Sequence, residues 1–361
     1  MTVQSTRTAL TALGQHAFAI RTAIGIALAA LSAVLLALSM PPYGLWPLAL
    51  VGLVPAIVAQ HRVVPRQLSS LAAAIAIGGL VGLYIMKALL QLGNAPWYMR
   101  LLPLLFGGIV FLTDLGTRAF HERTAYRWFV LSGALGWVGV EMIRSLIPVL
   151  GTWGLVAYAY FKKPALIQPV SIFGIFGLSL VNMLVTFGVG QFALAWFDRR
   201  WRLDADLAPV DMLQARTGLV AVGALFAAWV LLSQFLLAPS QQDKYQGASI
   251  RVAAIQPDYK SLWTPQERAA NTISIARYEL TYEQMFERLL AQTRDAARQG
   301  AQLVVWPEGA LNFDPQHAAR TQLLRDLAAE SNAYLAIPYG VNGRNEVTLL
   351  SPDGRFLGVY G

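Results

Sequence analysis

Residues 22–60 contain no charged side chain, and few folds can accommodate such a run. It is long enough to cross a bilayer core twice at roughly 20 residues per crossing. Pro41-Pro42 with Gly44 breaks it near the middle, as a tight connection between two spans requires. Helices are expected near 22–40 and 44–60. Further apolar stretches of spanning length follow at about 67–91, 101–120, 127–149, 168–197 and 216–238, each bounded by polar residues or by Pro and Gly. The expectation is a multi-pass domain of about seven helices. A chain that is 56% hydrophobic and 13% charged, with a mean hydropathy of +0.48, is too apolar for an ordinary soluble globule of 361 residues.

Charge is divided unevenly. Residues 1–238 carry 16 Lys and Arg against 7 Asp and Glu, whereas 239–361 carry 12 against 13, so the net +8 belongs to the apolar part. Eleven arginines, from Arg7 and Arg21 through Arg62, Arg66 and Arg118 to Arg216, fall on one side of the expected spans, and only Arg100, Lys162 and Lys163 on the other. This asymmetry predicts a cytoplasmic amino terminus at 1–21, a transmembrane domain at 22–238 and, after an odd number of crossings, an extracytoplasmic domain at 239–361. A cleaved signal peptide is the alternative for the first span, but that span runs directly into a second one and lacks a cleavage site. No soluble basic face with interleaved aromatics exists, so nucleic acid is not an expected partner. The absence of cysteine excludes disulfides, thiolate metal sites and a cysteine nucleophile from these residues. The four histidines, His16, His61, His121 and His317, lack the spacing of a helical zinc pair, and no metal is expected.

From about Ala248 the periodicity changes. A strand at 250–255 precedes an amphipathic helix at roughly 273–298. A second strand ends at Glu308, and a helix follows from about Pro315 to Ser331 with Asp314 as its N-cap. Tyr334–Tyr339 is a third strand, and 346–350 with 356–360 form a hairpin about Ser351-Pro352-Asp353-Gly354. The order β-α-β-α-β-β predicts an α/β layered domain. A five-stranded sheet whose last strand closes the sequence leaves an apolar edge open, and the natural protein is expected to continue beyond it.

Within this domain Gln302–Glu308 reads as a buried parallel strand, stopped by proline, that delivers one carboxylate at its carboxyl end, where α/β sheets gather ligand chemistry. Taken alone, Trp306-Pro307-Glu308 is a weak signal that describes a strand end with a solvated glutamate better than a site. Gln256-Pro257-Asp258 ends the first strand and Ala336-Ile337-Pro338-Tyr339-Gly340 the third, so three strand ends converge with it.

Val252-Ala253-Ala254-Ile255-Gln256-Pro257, Leu303 to Glu308 and the Ser351–Gly361 hairpin resemble the nitrilase, or carbon-nitrogen hydrolase, superfamily. Preceded by seven helices, they look like its apolipoprotein N-acyltransferase family. Pro41-Pro42-Tyr43-Gly44-Leu45-Trp46-Pro47, Glu141-Met142-Ile143-Arg144, and Gly174-Ile175-Phe176-Gly177-Leu178-Ser179 leading to Asn182 agree with that family too. The resemblance implies an αββα sandwich with a Glu-Lys-Cys triad, housed in the bacterial inner membrane. It implies that Glu308 is the general base. A cysteine thiolate would take an acyl chain from a membrane phospholipid as a thioester, a lysine would steady the oxyanion, and the acyl group would pass to the α-amine of an apolipoprotein's diacylglyceryl-cysteine. Cofactors are not implied. A carboxylate partly desolvated near the membrane would suit this role, because burial favours its protonated form. The matching lysine and cysteine are not found, since Lys244 and Lys260 are the only lysines of the tail and neither matches. The chain by itself is therefore expected to be a truncated, inactive piece, with a catalytically silent remnant that binds lipid or lipoprotein as the alternative.

Trp263 matches a family tryptophan beside the active-site entrance, and it also reads as an interfacial anchor. Glu141 and Arg144 lie one turn apart inside the fifth span, where charges pair or face a cavity; Arg144 is a candidate for a phospholipid headgroup, and so is Lys87. Asp114 in the fourth span raises the same question. A transporter is the remaining class, but no inverted repeat supports it.

Overall fold

The computed structural model describes residues 3–86, 97–147, 151–201, 207, 209–242, 249–270 and 274–361. The chain divides into two compact units, Met1–Asp243 and Lys244–Gly361.

In the first unit the apolar stretches are helical over most of their described residues. The principal helices are α1 (Val3–Ser39), α2 (Ser69–Leu80), α3 (Leu102–Thr113), α4 (Phe129–Ser145), α5 (Val170–Arg200) and α6 (Met212–Gln242). The second apolar stretch is a run of shorter helical turns from Pro47 to Val63. Among the described residues, five helical segments are long and apolar enough to cross a membrane: His16–Ser39, Arg66–Ile85, Trp97–Arg123, Val170–Arg200 and Met212–Leu237. The stretch 47–63 and the 17-residue α4 are shorter. α1 begins well before the expected residue 22, at Val3.

Small residues set the helix spacing. A Cβ on Gly79 would meet Ala33 Cβ at 2.7 Å, and one on Gly78 would meet the Pro103 carbonyl at 2.8 Å. In lipid the tails are as apolar as leucine, so helices associate through such close van der Waals approach. Outward-facing Leu104, Leu112, Val220, Leu231 and Phe235 are each more than 60% exposed, as lipid-facing side chains should be. Inside α5, Gly174 takes φ 67° and ψ 175°, a break that a side chain would oppose. Beyond it Asn182 is buried; its carbonyl accepts Tyr160 Oη at 2.6 Å and its amide donates to the Ala49 carbonyl at 3.1 Å.

One end of this unit holds a buried polar knot. Arg62 is 3% exposed and donates through Nε and Nη2 to Asp198 at 2.5 and 2.9 Å, and through Nη1 to Tyr126 Oη at 2.7 Å. Arg118, equally buried, pairs with Glu122 at 2.8 Å and donates to the carbonyls of Gln60 and Val64. Gln60 donates to Asp114 at 2.6 Å, which accounts for that intramembrane carboxylate. Two of the arginines that sequence alone places in solvated loops are therefore buried structural groups, because a carboxylate meets each of them.

The second unit is a five-stranded sheet in the order β1 (Val252–Ala254), β2 (Leu303–Val305), β3 (Tyr334–Val341), β4 (Arg344–Leu350), β5 (Phe356–Tyr360). The first three strands are parallel, with Ala254 opposite Val305 and Val305 opposite Ala336; the last two run antiparallel. Helices α7 (Ile275–Arg298) and α8 (Thr321–Ser331) pack on the sheet. Phe286, Leu289 and Leu290 from α7 and Leu324, Leu327 and Ala328 from α8 close over Val304, Leu335 and Ile337. Ser274 caps α7 by accepting Arg277 N–H. α8 starts six residues later than expected. Asp314 does not cap it: its carboxylate accepts Gln316 N–H at 2.9 Å and meets His317 Nδ1 at 2.9 Å, closing a local turn.

Candidate active site at the strand ends

β2 is short and apolar, and the next residue anchors it. Trp306 is 2% exposed; its N–H donates to the Ala336 carbonyl at 3.0 Å and its indole Nε1 to Thr293 Oγ1 on α7 at 2.9 Å. The strand is shorter than the expected 302–308: β2 ends at Val305, Pro307 follows outside it, and Glu308 emerges in a turn. Gly309 follows with φ +67°, a conformation that side chains oppose, and turns the chain back. Leu311 rejoins the sheet, its N–H donating to the Pro338 carbonyl at 3.3 Å and its carbonyl accepting Gly340 N–H at 2.9 Å. Glu308 thus sits on a short loop fastened at both ends.

Its carboxylate has a specific partner. Asn345 Nδ2 donates to Glu308 Oε1 at 2.7 Å. Asn345 is presented by a two-residue hairpin loop, Asn342-Gly343, both at positive φ, between the paired Val341 and Arg344. One residue further, Tyr339 Oη donates to Glu346 Oε2 at 2.6 Å, and Arg344 lies 3.2 Å from the other Glu346 oxygen. Burial, and then the bond to Glu346, push Tyr339 up to about 12, so its hydroxyl remains a donor at neutral pH. The strand ends therefore present one anchored carboxylate bound to an amide beside a second bound to a phenol.

Glu308 itself is exposed, so the expected partial desolvation is not found. A strand end followed by a glycine turn holds its side chain above the sheet rather than within the core. Nearby on the same unit a cleft of about 330 Å³ is lined by Tyr278, Tyr282, Glu283, Asn312, Phe313 and Arg320, among others, and Glu308 is not in its wall. Arg320 braces that wall by pairing with Glu283 at 2.6 Å and stacking 4.6 Å from the Phe286 centroid.

Trp263 is 8% exposed, with Lys260 Nζ 5.7 Å from its ring centroid. Arg144, in the other unit, is half-buried and donates to the Trp153 carbonyl. It forms no ion pair with Glu141, whose Oε1 instead accepts Trp137 Nε1 and Val156 N–H, each at 2.9 Å. Lys87 lies outside the described residues. The sequence reading missed Asn345 and the Tyr339–Glu346 pair. Asn342-Gly343 is the signal that finds them, because such a dipeptide between apolar runs dictates a tight hairpin, which pairs β4 with β3 and returns Asn345 to within reach of Glu308.

Comparison with known proteins follows the same division. Residues 32–188 match the family model described as the apolipoprotein N-acyltransferase N-terminal domain, and residues 251–361 match carbon-nitrogen hydrolase. Among similar proteins, an apolipoprotein N-acyltransferase of Geobacter metallireducens is 27% identical over 91% of this chain and 64% of its own length. One of Rhizobium meliloti is 27% identical over 78% and 51%, and one of Vibrio cholerae 23% identical over 78% and 50%. The chain spans about half to just under two thirds of the length of these relatives.

Proposed function

Because the chain belongs to the apolipoprotein N-acyltransferase family of the carbon-nitrogen hydrolase superfamily, we propose that this multi-pass membrane protein serves the transfer of an acyl chain from a membrane phospholipid to the α-amine of an apolipoprotein's diacylglyceryl-cysteine. The observation that carries the reading is Glu308, fastened at the carboxyl end of β2 within the stretch that matches carbon-nitrogen hydrolase.

Glu308 is the base in this reading. Its carboxylate takes the proton of a thiol as the sulfur attacks the ester carbonyl, and it returns that proton to the departing lysophospholipid oxygen. It then accepts a proton from the attacking amine, and the thiol is restored as the amide forms. None of the 361 residues is a cysteine, so the described residues supply the base and its surroundings rather than the nucleophile. In the same reading Trp263 is a substrate-binding residue of the sheet unit, and Arg144 a phospholipid-headgroup contact of the helical unit. The sheet unit faces away from the cytoplasm; the arginine asymmetry supports this even without the buried Arg62 and Arg118.

The test is Glu308→Gln in the protein expressed from its native locus, with lipoprotein amino-terminal peptides read by mass spectrometry. N-acylation should fall by at least about 100-fold, the lower end of what a general base contributes. Acylation within threefold of wild type refutes the assignment.

A further inference from the structure

The backbone around Glu308 carries one step more: we infer that Asn345 is a positioning residue, holding the Glu308 carboxylate in the orientation that proton transfer needs. The inference rests on the reading of Glu308 as the base. Glu308 is exposed on a loop, so packing does not select one of its rotamers, and confining a glutamate side chain costs entropy. A base must nonetheless meet its proton within hydrogen-bond reach.

The 2.7 Å contact from Asn345 Nδ2 to Oε1 has the short length of a charge-assisted bond. It engages one oxygen and leaves Oε2 to receive the proton. The geometry is set by backbone. Gly340 donates its N–H to Leu311, which closes the Glu308 loop, and the same residue pairs with Asn345 across β3 and β4. Base and donor are thereby fastened to one residue. A neutral amide orients the carboxylate without neutralising it, as a lysine or arginine there would. The adjacent charges are occupied elsewhere, since Arg344 pairs with Glu346 and Glu346 also holds Tyr339. Asn345 is itself exposed, so its replacement removes the bond with little effect on the core.

The test compares Asn345→Ala, Asn345→Asp and Asn345→Gln in the protein expressed from its native locus, assayed in membranes with a diacylglyceryl peptide and phospholipid. Asn345→Ala should lower kcat by about tenfold, the size of one hydrogen bond to a charged group, with KM within twofold. Asn345→Asp has nearly the same shape but lacks the donor and adds a like charge, so it should be lower still. Asn345→Gln keeps the donor and should stay within threefold of wild type. A residue with only a structural role would rank aspartate nearest to asparagine. Wild-type kcat in Asn345→Asp, or equal losses in the alanine and glutamine variants, overturns the inference while Glu308→Gln remains inactive and the base reading stands. An active Glu308→Gln overturns both.

Discussion

The hydrogen bond from Trp306 to Thr293 links the core of the sheet unit to the loop that carries Glu308, and its two ends should not respond alike to mutation. Trp306 is 2% exposed and Thr293 fully buried, with 2.9 Å between Nε1 and Oγ1. The threonine hydroxyl also donates to the Leu289 carbonyl at 2.7 Å. In Trp306→Phe that hydroxyl keeps its own acceptor, so the loss is a modest cavity and one incoming bond, about 1–2 kcal/mol. In Thr293→Val the indole N–H is left buried with no acceptor, which costs about 1–3 kcal/mol. The double variant has neither the bond nor the orphan, so its loss should fall short of the sum by about 1–2 kcal/mol. Native-state hydrogen exchange at the amides of 303–305 and 334–337 reads these opening energies without requiring reversible unfolding of the membrane helices. Losses that add to within about 0.5 kcal/mol would refute the reasoning and leave ring packing against Phe286, with centroids 6.2 Å apart, as the whole contribution of Trp306.

Two further outcomes are expected. Asp198→Ala leaves Arg62 buried without its carboxylate and should cost about 3–5 kcal/mol, read as a lowered unfolding temperature in detergent, whereas Arg62→Met with Asp198→Leu should be milder; an unchanged transition in Asp198→Ala would show that the pair is solvated. In the sheet unit the side-chain hydrogen bond from Arg277, then Thr264 N–H, holds Glu267 down to about 2 from its ordinary 4.5. A depressed carboxylate stabilises the fold above its unfolded value, so this contribution should be intact above about 4.5 and vanish as pH falls toward 2. Protection of the α7 amino-terminal amides should follow that fall, and a pH profile unchanged in Glu267→Gln would discount the pair.

Features encoded by local signals are legible in the sequence. Apolar length places the helical stretches, because a span needs only its own residues to be written, but among the described residues five rather than the expected seven are long and apolar enough to cross. β2 and the Glu308 beyond it are legible for the same reason, since a β-branched run stopped by proline has few other readings. Features made by distant partners are not. Arg62 reads as a loop cation because Asp198 lies 136 residues away, and nothing beside either residue announces the other. Asp314 reads as a helix cap because an oxygen before an apolar periodic run usually is one, but Thr321 bonds Ala318 and Arg320 is drawn to Glu283, which delays α8. The exposure of Glu308 depends on the turn at Gly309 and on where Leu311 rejoins β3, which only the assembled sheet decides.

The Arg62–Asp198 pair also imposes an order on assembly. Synthesis delivers the cation with the second apolar stretch and the anion only at the end of α5. Until then Arg62 must stay hydrated at the membrane surface, since an unpaired guanidinium is costly in lipid. The early helices can enter the bilayer, yet they cannot close around Arg62 and Tyr126 before α5 arrives. Maturation of this bundle therefore waits on its later helices, and a nascent chain arrested before residue 198 should remain open at that end.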